Sequence, residues 1–205
     1  MLAVLVKPPR LKGETGMDRD NQQPTPTEGE IAWLAGIIEG EGTLIMSLWQ
    51  RNEREGQKPK VGLQVKIYNS DAGIILQASS ILERLAVGFH LKERDMPPML
   101  KPGGDGYYAP SAPMLTLTVS KLSAVAAILQ AIRPWLYGDK AARADLMLKF
   151  LKRRFSKFED ESMGKRAPYD AGDIRLVLKF AQSGRRADTR TVERVLNELE
   201  QCPAK

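Results

Sequence analysis

A chain of 205 residues, 42% hydrophobic and 27% charged, can bury one good core but hardly two, so a single globular domain over residues 28–202 is expected. Its 31 Lys and Arg against 25 Asp and Glu leave a net charge of +6, which favours a polyanionic partner without naming one. The single cysteine, Cys202, excludes an intramolecular disulfide and a cysteine-based metal site, and the single histidine, His90, excludes a His-rich zinc centre, as suits a reducing compartment.

The opening "MLAVLVKPPRLKGETG" places its basic residues after a short apolar stretch, the reverse of a secretory signal, and no apolar run approaches the length of a membrane span. A cytoplasmic protein without a membrane partner is expected, or an organellar one in a chloroplast or mitochondrion. Residues 1–27 are rich in Pro, Gly and charge, show no period, and read as a flexible leader. Thr27-Glu28-Gly29-Glu30 is a capping box standing before an apolar run, and it starts the first helix.

From Thr43 the period changes to two. "TLIMSLW" (43–49) reads as a strand, followed through the basic connection "QRNEREGQKPK", with Arg51, Arg54 and Lys58, by "KVGLQVKIY" (60–68). In the second strand Val61, Leu63, Val65 and Ile67 share one face, and Lys60, Gln64, Lys66 and Tyr68 the other. "SDAGIILQASSILERLAVG" has a helical period, with Asp71 or Ser70 as cap and Gly88 as stop. Two more strands are expected around 89–94, carrying His90, Lys92 and Arg94, and 114–120, with Leu115, Leu117 and Val119 inward and Thr116 and Thr118 outward. The Pro and Gly of "DMPPMLKPGGDGYYAPSAP" between them forbid regular structure. Four helical stretches follow, "KLSAVAAILQAIRPWL", "KAARADLMLKFLKRRF", "YDAGDIRLVLKFAQSG" and "TRTVERVLNELEQ". The fold class is mixed α+β, an αββαββα core with an antiparallel sheet and additional C-terminal helices.

The polar strand face makes a positive sheet surface, and a ribbon of this kind fits the DNA major groove, where Lys and Gln reach base edges. The same alternation is also what any half-buried antiparallel strand displays. Arg185, Arg186 and Arg190, with Thr189 or Thr191 as cap of the last helix, form a second basic site suited to phosphate, or a solvated basic turn. In "KFLKRRFSKF" the residues Lys149, Lys152, Arg153, Arg154 and Lys157 are either phosphate contacts or a wet face.

The first helix carries "LAGIIEGEG" (34–42). At four-residue spacing Ala32, Gly36 and Gly40 fall on one face, and side chains this small let another helix approach closely. Glycine inside a helix costs about 1 kcal/mol against alanine, so Gly36 asks for a packing reason. Glu39 and Glu41 point in different directions and are not placed to chelate one ion together. Glu41 sits at the helix end, beside unpaired carbonyls and the negative end of the dipole, a poor place for a carboxylate unless a cation is bound. A hard ion such as Mg²⁺ accepts a carboxylate and a backbone carbonyl as a partial shell; a solvated glutamate before a Gly turn would leave the same sequence.

These nine residues resemble the LAGLIDADG motif of homing endonucleases, matching it at Leu34, Ala35, Gly36, Ile38 and Gly42, with Glu39 and Glu41 at its two acidic positions. The similarity extends over roughly residues 30–200 through the element order, "AVGFHLKER", "RPWLYGDKAARADLMLKF" and "TRTVERVLNELE", and is to the single-motif, homodimeric branch. It departs in having Glu at both acidic positions, a longer loop between the third and fourth strands, and an unmatched leader.

The resemblance implies intron homing: a nuclease cutting double-stranded DNA at a long, nearly palindromic site, with Mg²⁺ or Mn²⁺ as cofactor, motif helices at a dimer axis and sheets as saddles in the major groove. By carry-over Glu41 is the metal-binding acid and the Gly40 carbonyl a second ligand. Lys140 matches the active-site lysine if one extra residue in "LYGDK" is accepted as an insertion, and Asn69 falls near the polar residue that orders solvent at the scissile phosphate. Glu39 ties the helix end to its neighbours rather than doing chemistry, and Asp139, next to Lys140, is only a cap for the following helix. Only one such motif is present, so Ala32, Gly36 and Gly40 are expected to face a second copy of the chain. A protein that keeps this fold but does not cut, such as an intron RNA maturase or a DNA-binding regulator, is the other reading.

Overall fold

The computed structural model describes residues 24–49, 59–94, 99–100, 106–108, 113–159, 168–184 and 189–201. The elements are α1 (Glu28–Glu41), β1 (Gly42–Trp49), β2 (Lys60–Asn69), α2 (Ala72–Arg84), β3 (His90–Arg94), β4 (Met99–Leu100), β5 (Tyr107–Tyr108), β6 (Met114–Val119), α3 (Leu122–Ile132), α4 (Gly138–Glu159), α5 (Ala171–Gln182) and α6 (Arg190–Gln201). The mixed α+β order αββαββα is realised by α1, β1, β2, α2, β3, β6 and α3, with α4 to α6 added after it. Among the described residues no helix is long and apolar enough to cross a membrane.

Four strands pair antiparallel in the order β1-β2-β6-β3. Alternation divides them as expected: Leu44, Met46, Leu63, Val65, Ile67, Leu117 and Val119 are buried on one face. Against that face pack Leu34, Ala35 and Ile38 of α1, Ile75, Ala78, Ile81 and Leu82 of α2, and Val125, Ile128, Leu129 and Ile132 of α3. The edge strand β3 is exposed throughout.

Local chemistry sets the ends of these elements. Thr27 and Glu30 close a reciprocal capping box at α1. Between α1 and β1 the chain turns with no intervening loop, which requires Gly42: a Cβ there would lie 2.7 Å from both the Cα and the carbonyl oxygen of Ile38. Asp71 caps α2 through the Gly73 amide, resolving the choice with Ser70. The stop of α2 differs from the one expected. The left-handed residue is Ala86 (φ 54°), not Gly88, and the Val87 amide reaches back to the Leu82 carbonyl at 2.9 Å. Burial of Val87 anchors this turn, so packing rather than glycine ends the helix.

Two further expectations are corrected. Pro134 divides the stretch 121–136 into α3 and a 3-10 turn, Arg133–Trp135, because it brings no amide to continue the helix. Part of the 95–113 connection is regular: Met99–Leu100 pairs antiparallel with Tyr107–Tyr108, which lie outside the Pro and Gly positions between them.

The C-terminal helices are joined by ion pairs. Arg153, Arg154 and Lys157 of α4 all reach Asp173, which is fully buried, and Arg153 and Lys157 also reach Asp170 at the start of α5. Arg154 lies 4.3 Å from the centre of the Tyr169 ring, whose hydroxyl accepts from the Val61 amide of β2. Arg154 is buried and Arg153 and Lys157 are partly exposed, and all three neutralise a buried carboxylate, which a core tolerates only when paired; Lys149 and Lys152 of the same stretch are exposed.

Burial alone would raise the Asp170 carboxyl, but the Lys157 hydrogen bond, the Asp173 amide and the charges of Lys157 and Arg153 outweigh it, bringing it from 3.8 to about 2. A carboxyl depressed in the folded state stabilises the fold above its unfolded pKa, and the stabilisation is lost as pH falls through the folded one. Discounted for solvent screening at a half-exposed side chain, this is worth roughly 1 kcal/mol. Urea midpoints should therefore fall between pH 4 and pH 2 for the native chain, and Asp170→Asn, which can still cap α5, should be less stable at pH 6 but equal to it near pH 2.

Candidate active site

The last turn of α1 brings three of the expected residues together. Glu41 is the final helical residue and is exposed. The Asn69 amide nitrogen donates to Glu41 Oε2 at 3.1 Å, and its Oδ1 accepts from the Asp71 amide at 2.8 Å. The second bond fixes which end of the Asn69 amide is oxygen, so its donor is committed to the carboxylate. Asn69 is buried although polar, held there by these partners.

Lys140 arrives from the first turn of α4. Its Nζ donates to the Ile38 carbonyl at 2.6 Å and to the Glu39 carbonyl. The cation that the acidic helix end calls for is thus supplied in part by the chain itself, an ammonium at the negative pole of α1. Burial pulls the Lys140 pKa down, the Glu39 charge opposes this, and Arg143 adds to the lowering. Gly138, at φ +50°, lets the chain turn into α4 so that Lys140 reaches this position. Glu39 is half-buried, and its Oε2 has no hydrogen-bond partner among the described residues. Asp139 is exposed beside Lys140.

One contributor was not anticipated. Arg143, one turn beyond Lys140 on α4, donates to the Leu44 carbonyl of β1 at 3.1 Å and stacks 4.1 Å from the centre of the Phe180 ring of α5. It joins the lysine-bearing helix to the strand leaving Glu41. The i, i+3 spacing in "KAAR" was its only signal in the sequence.

Donors for a hard cation are present at this end of α1. Glu41 Oε1 has no hydrogen-bond partner among the described residues, and the Gly40 carbonyl stands where the residue four further on, Leu44, already belongs to β1. Among the described residues no group of three His, Cys, Asp or Glu side chains is placed to hold a metal ion, so one chain does not offer an all-side-chain cage here.

The outward sheet face is ordered by strand register. Thr43, Lys66, Thr118 and His90 form one row across four strands, and Tyr68, Thr116 and Lys92 form the next, with Arg94 opposite Met114 beyond it. Lys60 and Gln64 lie further along β2 on the same face. Among the described residues this face carries Lys60, Lys66, Lys92 and Arg94 and no carboxylate. Thr189 precedes α6, its carbonyl accepting from the Glu193 amide, and Arg190 is the first residue of that helix, which packs on α5 through Val192 and Val195. Arg51, Arg54, Lys58, Arg185 and Arg186 lie outside the described residues.

The small-residue stripe of α1 faces outward. A Cβ at Gly36 or Gly40 would meet nothing within 4 Å, and Ala32 is half-buried.

No family model matches the sequence, and no curated protein matches it. Solved structures do match in shape. The chain is similar to the homing endonuclease I-CvuI in complex with its target (20% identity, TM-score 0.55, 84% of this chain and 96% of that one). It is similar to the homing endonuclease I-TnaI (14%, 0.51, 82% and 97%). It also resembles the LAGLIDADG homing endonuclease I-GzeII in complex with a DNA target (13%, 0.52, 82% and 49%). The chain has the fold of the LAGLIDADG homing endonucleases. In this chain the Glu41 carboxylate, the Asn69 amide and Lys140 lie at the end of α1, the helix that carries most of the LAGLIDADG-like stretch and packs its Leu34, Ala35 and Ile38 into the core.

Proposed function

We propose that the chain is a site-specific, metal-dependent endonuclease of double-stranded DNA, acting as a homodimer with Mg²⁺ or Mn²⁺ on a long, nearly palindromic site of the kind cut in intron homing. The observation that carries this reading is the meeting of Glu41, Asn69 and Lys140 at the open end of α1. The cationic sheet face, with no carboxylate among its described outward positions, supports it as a surface for a polyanion. So do the DNA complexes among the matched structures, two of which, of I-CvuI, were formed with 2 mM Mg or Ca.

Glu41 and the Gly40 carbonyl would hold the ion. Bound there, a divalent ion supplies Lewis acidity toward a phosphoryl oxygen and a lowered pKa for its water. Asn69 holds Glu41 in one orientation, so the carboxylate need not reorganise during the reaction. Lys140 spends two of its three N–H donors on the helix-end carbonyls, which fixes the ammonium and leaves one donor for charge growing on a phosphate oxygen. The scissile phosphate thus meets fixed charges, and no serine, cysteine or histidine nucleophile is used.

The dimer is part of the proposal. Ile31, Trp33, Leu34, Ile37 and Ile38 make α1 apolar nearly all round, yet its Gly36 and Gly40 face is open within one chain. A helix of this composition is stable when covered on every side. The chain spans almost all of I-CvuI and I-TnaI but about half of I-GzeII, which agrees with one saddle and one acid per chain.

A plasmid library carrying randomised inserts tests the reading. Linear product in Mg²⁺, absent with EDTA, is expected, whereas binding of duplex DNA or of intron RNA without any cut would support the non-cleaving protein of the same fold. Lys140→Met should retain binding and cut roughly a hundredfold more slowly, as for loss of one preorganised donor; cutting at the native rate would remove Lys140 from the site.

A further inference from the structure

The outward sheet face is not uniformly polar. At the β1 end, strand alternation puts Ile45 and Trp49 on the same face as Lys60 and Lys66, and Trp49 is 53% exposed. Its position is built. Gly62 on β2 has no side chain to oppose it, and a Cβ added there would lie 2.3 Å from Trp49 Cη2 and 2.4 Å from Cζ3. The indole therefore rests on the glycine of the neighbouring strand, laid over the sheet next to Lys60, its cross-strand partner, with Gln64 opposite Ile45 beyond it.

We infer that Trp49, supported by Gly62, is a specificity-determining residue that reads thymine methyl groups in the major groove. This rests on the nucleic-acid reading above and deepens it by naming what this part of the face recognises. The occupant follows from charge and polarity together. Lys60, Lys66, Lys92 and Arg94 on the same face, with no carboxylate among the described outward positions, select a polyanion. Base edges in the major groove are hydrogen-bond donors and acceptors except for one apolar group, the C5-methyl of thymine. Isoleucine has no hydrogen-bonding group and the indole only its edge N–H, so the methyl group is the complement of the isoleucine and of the indole face. The Lys66 and Gln64 part of the face reads polar edges; the Trp49 part reads methyl groups.

The test uses duplexes selected by the Glu41→Gln chain from a randomised library, which leaves the sheet unchanged. Each thymine in the selected duplex is replaced singly by deoxyuridine, which removes only the methyl, and affinity is measured. At one or two thymines per half-site the loss should be about fourfold, the worth of one buried methyl. In Trp49→Ala the thymine and uracil duplexes should bind alike at those positions while other positions keep their preference. Gly62→Ala should reproduce this by displacing the ring without deleting it, and Trp49→Phe should keep part of the difference, which separates a lost contact from a misfolded sheet. An unchanged thymine preference in both Trp49→Ala and Gly62→Ala, or no thymine at which uracil matters, overturns the inference while leaving the nuclease reading intact. If no duplex is selected at all, the DNA reading falls and this inference with it.

Discussion

Glu41→Gln is expected to lower the cleavage rate at least a thousandfold while leaving affinity for the selected duplex within about tenfold, a loss of about 4 kcal/mol in the reaction and almost none in binding. The substitution keeps the shape of the side chain and can keep its hydrogen bond with Asn69, so the α1 end and the sheet are undisturbed. What it removes is the negative charge of the carboxylate that ends α1 and that Asn69 holds in place. Lys140 is already engaged by the Ile38 and Glu39 carbonyls, so it does not substitute for a cation held by Glu41. Single-turnover rates with bound DNA separate the two effects. A Gln variant that cuts at the native rate would show that the acid serves only as the end of a helix.

The second large effect concerns assembly. Gly36→Leu is expected to abolish dimer formation and cleavage together, and to do so without unfolding the chain. In a single chain the position is exposed, with nothing within 4 Å of a Cβ, so a leucine there projects from the open face of α1. Replacing a mid-helix glycine should instead stabilise the isolated chain, by up to about 1 kcal/mol. Sedimentation equilibrium should give the 22.8 kDa chain mass for the variant and twice that for the native protein, with the variant's urea midpoint unchanged or higher. A variant that unfolds would place Gly36 against the chain's own helices, and a variant that remains dimeric and active would move the interface elsewhere.

Much of this was legible before any coordinates. Period two in "KVGLQVKIY" and the Thr27 capping box are local signals, and β2 and the start of α1 follow from them. The Glu41, Asn69 and Lys140 grouping was reached through resemblance rather than spacing, since these residues lie far apart in the chain. Only the antiparallel register and the turn at Gly138 bring them to one point. What stayed hidden was tertiary. Arg153, Arg154 and Lys157 look like a basic stripe because helical period counts charges without showing that Asp173 is buried beneath them. Ala86 in a left-handed turn could not be read either, because burial of Val87 selects it against the nearby glycine. The glycine support of Trp49 stayed hidden because it depends on a cross-strand register that one strand alone does not define.

The central claim is that each chain contributes one Glu41 and that the pair cuts both strands across a two-fold axis. The most direct measurement is plasmid cleavage by a mixed dimer, one subunit native and the other Glu41→Gln, purified through two different affinity tags. The account predicts nicked circles, one strand cut for the one remaining carboxylate. Linear plasmid formed at the native rate would contradict it.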